Sequence, residues 1–159
     1  MKSQTVRLRV NGVGTTVEVS PNETLLDILR GRLRLMEVKV GCLSGECGAC
    51  TVLLNGIAVN SCLVLGVQAD DADVITVRGL SKDGHLHPLQ QAFIEDGAVE
   101  CGFCTPGFIL ASLAYLKENP KPSREEVKAA MGGNICRCTG YENIIKAIFE
   151  ASKGKYGDL

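Results

Sequence analysis

Eight cysteines in a chain of 159 residues constrain this sequence more than any other feature. They form two sets: Cys42, Cys47, Cys50 and Cys62, then Cys101, Cys104, Cys136 and Cys138. The first residues, Met1-Lys2-Ser3-Gln4-Thr5-Val6-Arg7, carry neither an apolar signal core nor a twin-arginine pair, so the expected location is the cytoplasm. Thiols stay reduced there, and something other than disulfides is expected to hold them.

In the first set, four, two and eleven residues separate the cysteines. The opening C-x4-C-x2-C is the spacing of plant-type [2Fe–2S] ferredoxins, whose fourth ligand comes later in the chain. A loop wrapped closely around a cluster needs backbone that is left-handed or crowded, and Gly41, Gly45 and Gly48 supply it without a Cβ penalty. The alternatives are a four-thiolate zinc site or a disulfide. Zinc knuckles usually pair their ligands on both sides, whereas Cys62 stands alone at the end of an expected strand.

The second set, Cys101-Gly102-Phe103-Cys104 and Cys136-Arg137-Cys138, is less specific by spacing. C-x2-C with C-x-C also suits zinc or, if exposed, redox disulfides. Both pairs are expected at helix N-termini, where unpaired amides and the helix dipole favour thiolates and an anionic cluster. Arg137 either offsets cluster charge or is a solvated arginine in a turn.

Around these sets the chain divides at about residue 80, giving expected domains 1–80 and 81–159. Val6, Leu8 and Val10 alternate with Arg7 and Arg9, and Asn11-Gly12 leads to a second alternating run, so a hairpin is expected. Leu25, Leu26, Ile28, Leu29 and Leu33 have helical spacing and predict two or three turns. Ala49–Leu54 and Ile57–Cys62, joined by Asn55-Gly56, and Val74–Val77 read as strands. In the second half, helices are expected over Pro88–Asp96, from Thr105-Pro106 to Asn119-Pro120, and after capping boxes at Ser123/Glu126 and Thr139/Glu142. The fold class is α+β.

Other functions find little support. Lys and Arg number 17 against 18 Asp and Glu, a net charge of −1 that gives no pull toward nucleic acid or an anionic membrane. The longest apolar stretch, Gly107–Leu116, falls short of the roughly 18 residues of a membrane span. His85 and His87 read as loop residues beside Pro88, and Glu95, Asp96, Glu125 and Glu126 as solvated or capping groups. No phosphate-cradling glycine motif occurs.

The order of the motifs is more specific than either set. Gly45-Glu46-Cys47-Gly48-Ala49-Cys50-Thr51-Val52 is followed by Cys-Gly-Phe-Cys-Thr-Pro-Gly at 101–107 and Gly-Asn-Ile-Cys-Arg-Cys-Thr-Gly-Tyr at 133–141. From about Thr5 to Ala151 the chain closely resembles the iron–sulfur subunit of the xanthine oxidase family of molybdenum hydroxylases. The resemblance implies an N-terminal β-grasp domain with the plant-type cluster on Cys42, Cys47, Cys50 and Cys62. It also implies a four-helix-bundle domain holding a second [2Fe–2S] cluster on Cys101, Cys104, Cys136 and Cys138. In that family electrons pass from a molybdopterin centre on a large subunit, through both clusters, to a flavin (FAD), commonly on a medium subunit. The second set is implied to lie nearer molybdenum, with Cys138 touching the pterin. Relatives commonly have glutamine before the Cys-Gly-Phe-Cys motif, whereas this chain has Glu100, a carboxylate that accepts hydrogen bonds where an amide also donates. The resemblance therefore implies an electron-transfer subunit. A free-standing two-cluster ferredoxin and a zinc-stapled interaction module are the competing readings.

Overall fold

In the computed structural model, which describes residues 2–159, alternation in the first strand does what its pattern predicts. Val6, Leu8 and Val10 are buried along β1 (Gln4–Val10), and the residues between them are exposed. Asn11 and Gly12 adopt positive φ, 50° and 82°, and turn the chain into antiparallel β2 (Val13–Val19), with Val6 opposite Val17. Positive φ at both central positions matches the right-handed twist of the flanking strands.

The following helical segment, Leu25–Arg32, has about the expected two turns, but only its start is α-helical. Thr24 caps α1 (Leu25–Asp27): its hydroxyl accepts from the Asp27 N–H while the Asp27 carboxylate accepts from the Thr24 N–H. The chain then widens into a π-helical turn, Ile28–Arg32, closed by Leu33 N–H donating to the Ile28 carbonyl at 3.0 Å. Leu25, Leu26, Ile28 and Leu29 are all buried with Val6, Leu8 and Val52. Each such side chain contributes about 2 kcal/mol by leaving water.

The remaining strands are β3 (Thr51–Leu54), β4 (Ile57–Asn60) and β5 (Ala72–Ile75). The sheet order is β2-β1-β5-β3-β4, with β1 and β5 parallel and the other pairs antiparallel. Against expectation, β3 starts two residues later and β4 ends two residues earlier. Ala49 and Cys50 belong to the cysteine loop, and Ser61–Leu63 forms a 3-10 turn. Ser61 donates from both N–H and Oγ to the Cys50 carbonyl, at 3.3 and 2.7 Å, and this draws Cys62 out of the ladder. The strand expected over Val74–Val77 lies at Ala72–Ile75 instead, because Asn11 Oδ1 accepts the Thr76 N–H and a 3-10 turn begins at Val77.

The second half contains α2 (Pro88–Glu95), α3 (Thr105–Glu118), α4 (Arg124–Ala130) and α5 (Glu142–Ser152). The Ser123/Glu126 box caps α4 as expected. The Thr139/Glu142 box does not form: α5 starts after Tyr141, which has φ 70° and gives no side-chain cap. His87 caps α2, its Nδ1 accepting from the Leu89 N–H, and burial pushes its pKa down.

Asp96, which the sequence suggests is solvated or capping, stands at the C-cap of α2 but is not solvated. Its side chain is 4% exposed, pairs with Lys146 at 3.0 Å and Lys155 at 3.4 Å, and accepts from the Tyr156 hydroxyl at 2.6 Å. Burial opposes its charge, but the Tyr156 and Lys146 partners hold its pKa below the ordinary value. The arrangement ties α2 to α5 and to the chain's last residues.

The sheet and the helices share a boundary at β3. Val52 joins the apolar cluster beneath α1, while its neighbour Leu53 joins Phe93, Phe108, Ile144 and Ile148 among the helices. Successive strand residues face opposite sides, so β3 is buried on both and α3 packs directly against the sheet. The chain is thus a mixed α/β molecule. No helix of the described residues is long and apolar enough to cross a membrane.

Candidate metal centres

The first cysteine set lies on the loop entering β3 and on the turn leaving β4. Residues 33–41 lead into it without regular structure, braced by Arg30, whose guanidinium donates to the Met36 and Val38 carbonyls. Cys42 N–H donates to Cys47 Sγ, while Ser44 N–H and Cys47 N–H donate to Cys42 Sγ, each at 3.4 Å. Amides aimed at sulfur favour thiolate over thiol. The Ser44 and Cys47 donors accordingly lower the Cys42 pKa to about 6. Burial and the neighbouring Cys50 thiol push Cys62 up to about 11. Cys50 and Cys62 are buried, Cys47 is half-buried and Cys42 is exposed.

The glycines of this loop allow close approach. A Cβ on Gly41 would meet Cys47 Sγ at 2.6 Å, and one on Gly45, at φ 81°, would meet Leu63 Cδ1 at 2.2 Å. A Cβ on Gly48, at φ 67°, would strike Asn134 Nδ2 at 2.3 Å and the Gly133 carbonyl at 2.6 Å.

All four thiols of the second set line one cavity of about 300 Å³, which also reaches Cys47 of the first set. They come as two pairs. Cys101 and Cys138, both exposed, have their sulfurs 3.6 Å apart, while Cys104 lies beside Cys136 further in. Burial first, then Cys136, pushes the Cys104 pKa up to about 12. For Cys136 burial works against the thiolate, but the Thr139 hydroxyl and the Cys138 and Thr139 amides leave its pKa lowered. Only part of the helix-terminus expectation is met: Cys104 caps α3, whereas Cys136 and Cys138 sit in a loop several residues before α5. Glu100 and Arg137 are exposed beside these thiols.

The two sets meet directly. Ile135 N–H donates to the Cys47 carbonyl at 3.0 Å, and Asn134 Nδ2 donates to the Gly48 carbonyl at 3.1 Å. Gly107, in the first turn of α3, comes so near that a Cβ there would lie 2.2 Å from the same Gly48 oxygen. The spacing of the cysteines gives no role to Asn134, because its partner is 86 residues away in sequence.

Among the described residues no three His, Cys, Asp or Glu side chains converge where one metal ion would sit. Four-thiolate zinc asks for sulfurs about 2.3 Å from a single centre. A larger cleft of about 610 Å³, beside Asn11, Arg78 and Lys82, contains no thiol.

Comparison with known proteins follows the same division. Residues 8–76 match the 2Fe-2S iron-sulfur cluster binding domain, and residues 76–149 match the [2Fe-2S] binding domain. The chain is 49% identical over 148 residues to the nicotinate dehydrogenase small FeS subunit of Eubacterium barkeri, covering 93% of this chain and 94% of that one. It superimposes on a chain of quinoline 2-oxidoreductase from Pseudomonas putida 86 with a TM-score of 0.93, 41% identity and full coverage of both. It also matches 17% of the longer aldehyde oxidoreductase chain of Desulfovibrio desulfuricans, with a TM-score of 0.88 and 48% identity over 96% of its own length.

Proposed function

Because this chain belongs to the family of iron–sulfur small subunits of the molybdenum hydroxylases, we propose that it carries electrons between redox centres held by partner subunits. It is not the catalytic subunit. Two [2Fe–2S] clusters, when bound, would each take up and release one electron at a time. Cys42, Cys47, Cys50 and Cys62 hold the plant-type cluster, and Cys101, Cys104, Cys136 and Cys138 hold the other.

The pairing of the thiols supports a two-iron centre in each set. Cys101 lies beside Cys138 and Cys104 beside Cys136, while Cys50 neighbours Cys62 and the Cys47 N–H reaches Cys42 Sγ, so each set would offer its thiolates in two pairs to a two-iron cluster. Backbone amides facing the sulfurs stabilise the anionic charge that four thiolates bring. Proteins can carry this charge on a partly exposed loop because fixed dipoles replace hydration.

The observation that carries the reading is the junction between the sets. The Ile135 amide, adjacent to Cys136, donates to the carbonyl of Cys47, so one hydrogen bond and a short run of covalent bonds link a ligand of each cluster. Each set also has exposed thiols, Cys42 in the first and Cys101 and Cys138 in the second. Electrons arriving at the second set from a molybdopterin-binding large subunit would cross this junction and leave near Cys42 toward an FAD-binding medium subunit or another acceptor. The pterin contacts are assigned to Cys138 and Glu100, and both being exposed supports this. Gly41, Gly45 and Gly48 permit the close wrapping of the first loop.

The finer fold reading is a β-grasp domain over residues 1–80 followed by a four-helix-bundle domain over residues 81–159, supported by two apolar clusters and by helices α2 to α5. The work of the chain is assigned to the cytoplasm, where its free cysteines stay reduced for cluster assembly. The substrate is a small molecule oxidised on the large subunit: a purine, N-heterocycle, aldehyde, carbon monoxide or aromatic acyl-thioester.

Purification from the native host tests the assignment. The chain should co-elute with a molybdopterin protein in fixed stoichiometry. Recovery as a lone two-cluster protein would favour a free-standing ferredoxin-like carrier instead.

A further inference from the structure

Thr139, expected to cap a helix, is turned toward a sulfur. Its Oγ1 lies 3.1 Å from Cys136 Sγ, and that same oxygen accepts the Tyr141 N–H at 3.2 Å. A hydroxyl has one proton, and the lone pair facing Tyr141 is already used, so the proton is left to point at Cys136. A second contact closes the ring, as Cys136 N–H donates to the Tyr141 hydroxyl at 3.0 Å. Tyr141 holds φ 70°, unusual for a residue with a Cβ, and its ring packs edge-on against the buried Phe108 at 6.2 Å. A non-glycine residue held there is strained, and such strain persists only where the surroundings enforce it. Strain, hydroxyl and ring together fix one donor on one thiolate.

We propose that Thr139 is a positioning residue that raises the reduction potential of the second cluster through its hydrogen bond to Cys136, a role that rests on the cluster assignment above. Reduction adds one electron supplied through the large subunit, breaks no bond, and places more negative charge on the sulfurs. A donor facing sulfur therefore stabilises the reduced state more than the oxidised one. Cys136 is 7% exposed, so little water competes with the hydroxyl. Among the described residues, no other side-chain hydroxyl donates to a sulfur of this set. The amides of Cys138 and Thr139 also face Cys136, so the hydroxyl tunes the site without being its sole support.

The test uses the native assembly carrying Thr139→Val, Thr139→Ala or Thr139→Ser, titrated with dithionite and followed by electron paramagnetic resonance, with iron counted in each sample. Thr139→Val and Thr139→Ala should shift the oxidised-to-reduced ratio of the second cluster about tenfold toward oxidised, which is about 59 mV for one electron. Thr139→Ser should restore it, and the plant-type cluster should not move. An unchanged potential with full iron content overturns the tuning role and leaves the cluster assignment intact. Loss of the second cluster in both Thr139→Val and Thr139→Ala, with Thr139→Ser intact, also overturns it, because the hydroxyl then only holds the loop. A native protein without a second cluster overturns the assignment itself.

Discussion

Gly107→Ala adds a single methyl group where α3 meets the first cysteine loop. Its Cβ would stand 2.2 Å from the Gly48 carbonyl oxygen and 3.2 Å from Asn134 Nδ2. Even close carbon–oxygen contacts settle at about 3.3 Å, so helix and loop must part by about 1 Å. The obstacle is a backbone oxygen already held by Thr51 N–H, Thr51 Oγ1 and Asn134 Nδ2, and no rotamer change relieves it. Overpacking of this kind costs about 1–3 kcal/mol, and fixed backbone puts the site at the upper end. Alanine is the better helix former by about 1 kcal/mol, so the clash wins and the net loss is about 2 kcal/mol. For a chain of this length that lowers Tm by about 4–8 °C. Thermal unfolding of the cluster-loaded protein, followed by circular dichroism, measures it. Gly14→Ala, with nothing within 4 Å of its Cβ, is the control and should stay within about 0.5 kcal/mol of the native protein. A folded, loaded Gly107→Ala protein melting at or above the native temperature would refute the close approach of α3 to the loop.

Three more outcomes are expected. Cys136→Ser should abolish or alter one paramagnetic signal and spare that of the plant-type cluster, and Cys42→Ser should do the reverse; if either change removes both signals, the division of the cysteines is wrong. In the cluster-free chain, with its pKa lowered to about 6, Cys42 should be alkylated by iodoacetamide before Cys62 or Cys104 at pH 7. Its rate should fall about tenfold between pH 7 and pH 5 as the thiolate is protonated, and peptide mass spectrometry reads the order; Cys104 reacting first would contradict the environments described. Asp96→Asn should cost about 2 kcal/mol, since the carboxylate is buried while its lysine partners are about half-exposed and partly screened. Because the folded Asp96 pKa is depressed, this contribution is full above the ordinary carboxylate pKa of about 4 and is lost as pH falls through the folded value. Equal melting of Asp96→Asn and native protein at neutral pH would rule that out.

What the sequence revealed followed the range of its signals. The β1–β2 hairpin, the Ser123 cap and the extent of α3 are set by neighbours a few residues apart, and periodicity and turn chemistry display them. The leucines at 25–29 correctly marked a buried helical face, but the π-helical turn after Asp27 has no such signature. Thr139 fails as a cap for a physical reason: Tyr141, at φ 70°, delays the start of α5, and the Thr139 oxygen accepts the Tyr141 N–H in place of an amide inside the helix. Asp96 looked like any acid ending a helix, because Lys146, Lys155 and Tyr156 approach it only after the chain has returned through three more helices. Within the candidate site the cysteines were legible from spacing and order. Their pairing, and the contact of Asn134 and Ile135 with the Cys47–Gly48 loop, required the third dimension.

The central claim is that eight cysteines hold two separate two-iron clusters. Elemental analysis of the assembly isolated from its native host, paired with electron paramagnetic resonance after reduction, tests it most directly. About four iron and about four acid-labile sulfide per chain are expected, with two distinguishable signals. A colourless chain that holds zinc in place of iron would contradict it.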